Sequence, residues 1–244
     1  MGLWSSIKKA AKKVWRAVKS VARVVVRIVI TIINRLTLGL PDLLLGFLAW
    51  PPKRLRLHVV IVSVKSSDPD GGESLVPVVP EHDVEVAIEN TKRIYKKLFN
   101  VNIIPYSKSF IEILPEEPPK EVLDFKCGIQ SEFGIAGEYF ANHLAGWNAI
   151  PISLTFPVTV FVVRELLEGP SGCSMAVLGE YVVIDEQGLK EDKMIALPHE
   201  IGHTCGLWHS GTATNLMHNG PPADENVKWF QKNIVRSSRH VQWW

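Results

Sequence analysis

Cysteine is scarce in this chain of 244 residues, which contains three. Three is too few, and odd in number, for a disulfide framework, so Cys127, Cys173 and Cys205 indicate no redox compartment. The sequence also lacks a G-x-S-x-G elbow, a glycine-rich phosphate loop and a C-x-x-C pair. The sequence therefore carries none of the usual motifs of a serine hydrolase, a nucleotide-binding enzyme or a thiol oxidoreductase.

Acidic residues are absent from the first 41 positions, which hold nine Lys or Arg. The remaining 18 basic and 25 acidic residues give the rest of the chain a charge of −7, so the net charge of +2 conceals a strong asymmetry. This split predicts a basic arm, residues 1–54, followed by a mildly acidic globular domain, residues 55–244.

Long uncharged apolar runs are missing as well. No stretch reaches the roughly 18–20 residues that a spanning helix needs, because Arg27, Arg35 and Asp42 interrupt the arm. A cleavable signal peptide fits poorly, since the basic region is long and no clear small-x-small site follows it. We therefore expect neither a membrane span nor a cleaved leader.

The arm nevertheless carries a regular pattern. Apolar residues recur at intervals of three and four from Leu3 to Ile32, and cations fill the opposite side. The pattern predicts a cationic amphipathic helix over residues 3–33, with Trp4 and Trp15 as interfacial anchors. We expect this helix to lie on an anionic membrane surface; docking on a protein partner is the alternative. Nucleic acid is not expected, because the apolar side would then have no role.

An eleven-residue stretch beginning at His199 carries the chemistry and reads H-E-x-x-H-x-x-G-x-x-H. His199 and His203 are four residues apart, so a helix projects both imidazoles from one face. Gly206 can adopt a left-handed conformation, which ends the helix and lets the chain bring His209 back to the same point. Three protein ligands leave one zinc position open, as in catalytic sites. We predict that these histidines bind Zn²⁺ and that Glu200 is the catalytic general base.

A methionine, Met217, follows eight residues after the last histidine. The extended histidine motif and this methionine together resemble the metzincins, a clan of zinc-dependent endopeptidases. The resemblance implies an α+β zincin domain with a mixed twisted sheet, a motif helix, a methionine turn at Met217 and a C-terminal helix. It also implies that a peptide substrate binds along an antiparallel edge strand, for which residues 172–178 are the best candidate.

The sequence departs from the family pattern in two places. Asn219 occupies the position at which astacins and serralysins carry a tyrosine ligand, and Pro198 directly precedes the first histidine. Proline is best tolerated in the first helical turn, so the helix should start or kink there. His218, beside the methionine, is either a fourth ligand or a surface imidazole at the cleft rim.

Periodicity and turn residues predict the remaining elements of the domain. We expect strands at 55–64, 101–104, 110–114, 157–167, 172–178 and 181–184, and helices at 84–99, 131–145, 190–207 and 224–236.

These observations predict a zinc endopeptidase that its arm brings to a membrane, so the protein would be membrane-associated or secreted. Zinc lowers the pKa of a bound water to about 7, and Glu200 would take its proton and pass it to the leaving amine. An alternative is a membrane-active or interaction protein, in which the arm is the effector and the protease domain is ancillary or latent. The arm acting as a removable prosegment is a further possibility.

Overall fold

The computed structural model describes residues 3–67, 72–145, 157–167, 169, 171–174, 181–190, 195–220 and 225–243. Its helices are α1 (Leu3–Thr37), α2 (Leu40–Leu45) with a following 3-10 turn (Gly46–Leu48), α3 (Glu81–Phe99), α4 (Lys120–Leu123), α5 (Ile129–Glu132), α6 (Ile135–Asn142), α7 (Glu186–Lys190), α8 (Ala196–Thr204) and α9 (Trp229–Arg236). Its strands are β1 (Lys53–Ile61), β2 (Ser63–Ser67), β3 (Glu73–Pro77), β4 (Val101–Pro105), β5 (Ile111–Ile113), β6 (Asp124–Lys126), β7 (Val158–Val162), β8 (Glu165–Leu167), β9 (Gly172–Ser174), β10 (Tyr181–Ile184) and β11 (Val241–Gln242).

A mixed seven-stranded sheet organises the domain, so the α+β prediction is confirmed. β1 lies parallel to β4, β5 and β7, and β10 extends the parallel set beside β7. β11 and β9 are antiparallel to their neighbours, and β9 ends the described strand order next to β10. In this register Val59 lies opposite both Ile111 and Val160, and Val160 lies opposite Val182. β9 is therefore placed as an edge strand.

Side chains of β1 and of Val62, which follows it, alternate between two separate cores. Leu57, Val59 and Ile61 pack on the side of α3 and α8, while Val60 and Val62 pack on the side of α4 and α6. Burial on both faces explains why residues 59–62 form a continuous β-branched apolar run rather than an alternating one.

Several predicted boundaries were too wide. The first strand ends at Ile61, and the residues after it form β2, which pairs with β3. The motif helix begins at Ala196 and ends at Thr204, since the chain turns sharply after it; residues 191–194 lie outside the described part. Pro198 sits in its first turn, where a missing amide costs no hydrogen bond. The closing helix begins at Trp229 and not at 224.

The two segments of the arm differ in how they meet the domain. α1 keeps most of its described side chains exposed, although Arg16 pairs with Glu138 at 2.6 Å. The segment after it is fixed by a buried ion network, in which the Asp42 carboxylate lies 2.8 Å from Nε of Arg236 and 2.7 Å from Nζ of Lys53. The division between arm and domain at residue 54 remains a prediction.

Among the described helices, none alone combines the length and apolar content of a membrane span. One bent pair, Thr31–Thr37 with Leu40–Leu48, satisfies both criteria jointly across a 73° break.

Candidate metal centre

Three imidazoles converge beside the motif helix. Nε2 of His203 lies 3.0 Å from Nε2 of His199 and 3.1 Å from Nε2 of His209, and the ligand atoms of the three all lie within 4.8 Å of one another. A tetrahedral zinc with Zn–N bonds of about 2.0–2.1 Å places its nitrogens about 3.3 Å apart, so the spacing fits such an ion. Among the described residues, His, Cys, Asp and Glu side chains come close enough to hold a metal ion in one group of three, and it is this one.

Hydrogen bonds fix which ring nitrogen is free in His199 and in His203. Nδ1 of His199 is 2.8 Å from the carbonyl oxygen of Leu216, and Nδ1 of His203 is 2.8 Å from that of Leu207. A carbonyl accepts only from N–H, so both rings carry the proton on Nδ1 and turn an Nε2 lone pair inward. Two lone pairs facing each other at 3.0 Å repel unless a cation lies between them. The donor set therefore fits a metal ion, and carbonyl partners of this kind support metal-bound histidines.

Burial keeps the rings of His199 and His203 neutral. It is the main cause that lowers the pKa of His199, to about 4, with the neighbouring His203 adding to it, and it also lowers the pKa of His203. A neutral imidazole is the form that binds a metal, so both rings are ready to coordinate at neutral pH.

The end of the motif helix brings in the third histidine. The amide of Gly206 donates to the carbonyl of His203 at 2.8 Å, and that of Leu207 donates to Gly202 at 2.9 Å, which is the Schellman pattern. Gly206 has φ of +97°, the left-handed conformation expected from the sequence. The chain reverses there and reaches His209 within three residues.

The segment around Met217 supports the motif helix from below. Met217 is fully buried, and a Cβ built on Gly202 would lie 2.7 Å from its sulfur. Two hydrogen bonds fix its backbone. The Met217 amide donates to Oδ1 of Asn215 at 2.9 Å, and the Met217 carbonyl accepts from the amide of Ser210 at 2.7 Å. Met217 thus packs against the helix, while the preceding carbonyl orients His199.

Glu200, on the same helix as His199 and His203, faces the edge strand β9. It is 8% exposed, and a Cβ built on Gly172 of β9 would lie 2.8 Å from its Cγ. Burial raises the pKa of Glu200 to about 7, and hydrogen bonding from Ser174 opposes the rise. A carboxyl that titrates near neutrality can both accept and release a proton, as a general base requires.

The close approach at Gly172 yields a prediction. If Glu200 is the general base that the sequence predicts, Gly172→Ala should displace its carboxylate and lower peptidase activity by about 10²-fold, because small misplacements of a catalytic group are costly. Bound zinc should be unchanged, since the histidines are not touched. Gly211→Ala is the matched control, as a Cβ there meets no atom within 4 Å. Equal activity of both variants in a peptide assay would contradict the placement of Glu200.

Three features of the site had no signal in the sequence. Arg35 of α1 donates to the carbonyl oxygen of Cys205 at 3.3 Å and lies against Gly206, so the arm contacts the turn that carries His209. A disulfide joins Cys127 to Cys173 and ties β9 to the segment before α5. The third feature is the pair of carbonyls, of Leu216 and Leu207, that orient His199 and His203; their positions are set by the fold of the loops after the helix. His218 lies outside the three-histidine group, and its Nδ1 is buried without a described hydrogen-bond partner.

Comparison with solved structures identifies the fold. Metalloproteinase-II from Bacteroides fragilis superimposes with a TM-score of 0.50 at 16% identity, over 77% of this chain and 54% of that one, so the chain spans about half the length of that protein. Archaemetzincin from Methanopyrus kandleri matches with a TM-score of 0.44 at 12% identity, over 75% of this chain and 95% of that chain. No protein-family model and no curated protein sequence matches the chain.

At 16% identity, the likeness to the Bacteroides fragilis structure shows the fold alone. The chain has a zinc-metalloprotease fold. Together with the three-histidine group, this fold supports Zn²⁺ as the cofactor.

Proposed function

We propose that the protein is a zinc-dependent endopeptidase of the metzincin type that hydrolyses peptide bonds in polypeptide substrates. The observation that carries this proposal is the convergence of three Nε2 atoms, two from α8 and one from His209 after it, with the buried carboxyl of Glu200 on the same short helix. His199, His203 and His209 would hold the metal. When bound, zinc supplies Lewis-acid chemistry that polarises a carbonyl and acidifies water.

The protein's own residues then perform the proton transfers. Glu200 accepts the proton of the attacking water and returns it to the departing amine, and its pKa of about 7 suits both transfers. The packing of Gly172 against its Cγ holds the carboxyl in place. Met217 contributes packing under the helix and no ligand.

The edge strand suggests how a substrate is held. Among the described strands, β9 pairs only with β10, which leaves its other side available to an extended peptide. Backbone hydrogen bonds along this side would give binding that depends little on substrate sequence. The residues beyond Ser174 in the predicted segment 172–178 lie outside the described part.

The arm would bring this enzyme to an anionic membrane surface. Val14, Val18, Val21 and Val25 of α1 are each more than half exposed, although this apolar side would normally be buried. An exposed apolar side opposite a side bearing only cations is typical of helices that lie in a membrane interface. The disulfide is in keeping with a membrane-associated or secreted location, because disulfides persist in oxidising compartments.

The same exposure supports a second candidate, in which α1 is a membrane-active effector and the protease domain is ancillary. Dye release from anionic vesicles distinguishes the two. Release that is equal for the protein and its Glu200→Gln variant would favour the effector, whereas vesicle binding without release favours targeting of an enzyme.

The zinc assignment is tested by removing one ligand. His203→Ala should reduce bound zinc from about one ion per chain to near zero after dialysis, since three protein ligands leave no redundancy. Metal content is measured by mass spectrometry of the purified protein. The control is His82→Ala, which changes a histidine whose side chain is 81% exposed on α3 and should leave zinc unchanged. Full zinc occupancy of the His203 variant would refute the assignment.

A further inference from the structure

The segment that joins α1 to the domain has its polar and apolar sides reversed. Asp42 in α2 is 3% exposed, whereas Leu44 is 64% exposed and Leu48 is 61% exposed. In a water-facing helix the carboxylate would face out and the leucines would face in. We call the exposed apolar side chains here, together with two that continue them on α9, the outer apolar patch: Leu44, Leu45, Phe47, Leu48, Trp229 and Phe230.

Buried polar contacts hold this reversed orientation in place. Asp42 meets Arg236 and Lys53 inside the domain, and Nη1 of Arg236 donates to the carbonyl of Phe99 at 2.9 Å. The side-chain amide of Asn233 donates to the carbonyl of Leu43 at 3.0 Å. These contacts occupy the inner side, so the leucines cannot rotate inward without leaving buried charges unpaired.

The patch continues onto the catalytic domain itself. Trp229 is 64% exposed and packs edge-on against Phe47, with ring centroids 6.3 Å apart, and Phe230 packs edge-on against Trp229 at 6.0 Å. Lys228 is exposed beside this aromatic pair. Tryptophan next to lysine is an arrangement typical of the boundary between lipid and water.

We propose that the outer apolar patch inserts into the interfacial layer of an anionic bilayer and seats the catalytic domain directly on lipid. The first 41 residues, with nine cations and no acid, select negatively charged lipid as the occupant, because charge of one sign complements an anionic surface. Under Proposed function, α1 was given a membrane role, and this proposal rests on that role and adds the outer apolar patch to it. It does not depend on peptidase activity. Directly before this segment, Arg35 near the end of α1 donates to the Cys205 carbonyl, in the turn that follows the motif helix.

The depth of a single side chain tests the proposal. A nitroxide is attached to the full chain at Leu44→Cys or, as a control, at Leu75→Cys on the β2–β3 hairpin, which is 43% exposed. Labelling is selective, since Cys205 is buried and the other two cysteines form a disulfide. With vesicles of phosphatidylglycerol and phosphatidylcholine, the label at 44 should collide more with oxygen and less with a water-soluble nickel chelate. The label at 75 should not change.

Charge substitutions give a second measurement. The double variant Leu44→Glu, Leu48→Glu should bind these vesicles at least about tenfold more weakly, because each leucine loses apolar contact with lipid. Leu75→Glu should bind as the unchanged protein does. Circular dichroism checks that the exposed substitutions leave the fold intact.

Three outcomes would overturn the proposal. If the protein binds vesicles while the label at 44 stays in water, α1 alone holds the membrane and the patch does not. If the protein binds no vesicles, neither α1 nor the patch holds the membrane. If it sediments as a dimer without lipid and the double glutamate variant is a monomer, the patch covers a second copy. None of these results bears on zinc binding or peptide hydrolysis, so they leave the proposed catalytic function to its own test.

Discussion

Replacing Glu200 by glutamine is expected to lower peptide hydrolysis by about 10²–10⁴-fold, the usual contribution of a general base. The amide keeps the shape of a side chain that packs against Gly172, but it cannot accept a proton from water. Zinc should stay bound, because the carboxyl is not one of the three converging ligand groups. Steady-state cleavage of a fluorogenic peptide and metal content of the same sample measure both effects.

The glutamine variant should also be no less stable than the parent protein. Burial already opposes the charged carboxylate, as its raised pKa shows, so a neutral group is not penalised at this position. Thermal unfolding provides this control. Retention of more than a few per cent of the activity would mean that another group acts as the base.

Replacing Asp42 by alanine is expected to cost about 3–5 kcal/mol of unfolding free energy, because it leaves two buried cations without their partner. Arg236 is fully buried and Lys53 is 1% exposed, so water cannot replace the carboxylate. Burial already lowers the pKa of Lys53, and its contacts with Asp42 act in the opposite direction. Urea unfolding followed by circular dichroism gives the free-energy difference.

A surface carboxylate supplies the matched control for Asp42. Glu89 pairs with Lys92 at 2.6 Å on α3, and its side chain is 70% exposed. Glu89→Ala should change the unfolding free energy by less than about 1 kcal/mol, as is usual for exposed ion pairs. If Asp42→Ala also changes the unfolding free energy by less than about 1 kcal/mol, the buried ion network does not hold the α2 segment in place.

Local spacing explains why the site was largely predictable from the sequence. Two histidines one helical turn apart face the same way wherever the helix lies, and a glycine after that helix permits the reversal to His209. The three imidazoles converge and Gly206 is left-handed, as the spacing indicated. The apolar run at residues 59–62 and the helix over residues 84–99 were predictable from their local pattern as well.

Contacts between distant parts of the chain were not predictable. Arg35 and Cys205 are 170 positions apart, and Asp42 and Arg236 are 194 apart, so no periodic pattern links them. In the sequence, Asp42 is only a charge that interrupts an apolar run. In the structure Asp42 is buried, and the leucines of that run therefore face outward. Strand ends were also misplaced, because turns and pairing partners determine them more than composition does.

Zinc-dependent cleavage by the full chain tests the central claim most directly. The purified protein is incubated with a peptide library, and products are identified by mass spectrometry before chelation, after chelation and after zinc is restored. We expect cleavage at internal peptide bonds that disappears with the chelator and returns with zinc. Absence of cleavage by zinc-loaded protein, or cleavage that persists after the metal is removed, would contradict the proposal of a zinc endopeptidase.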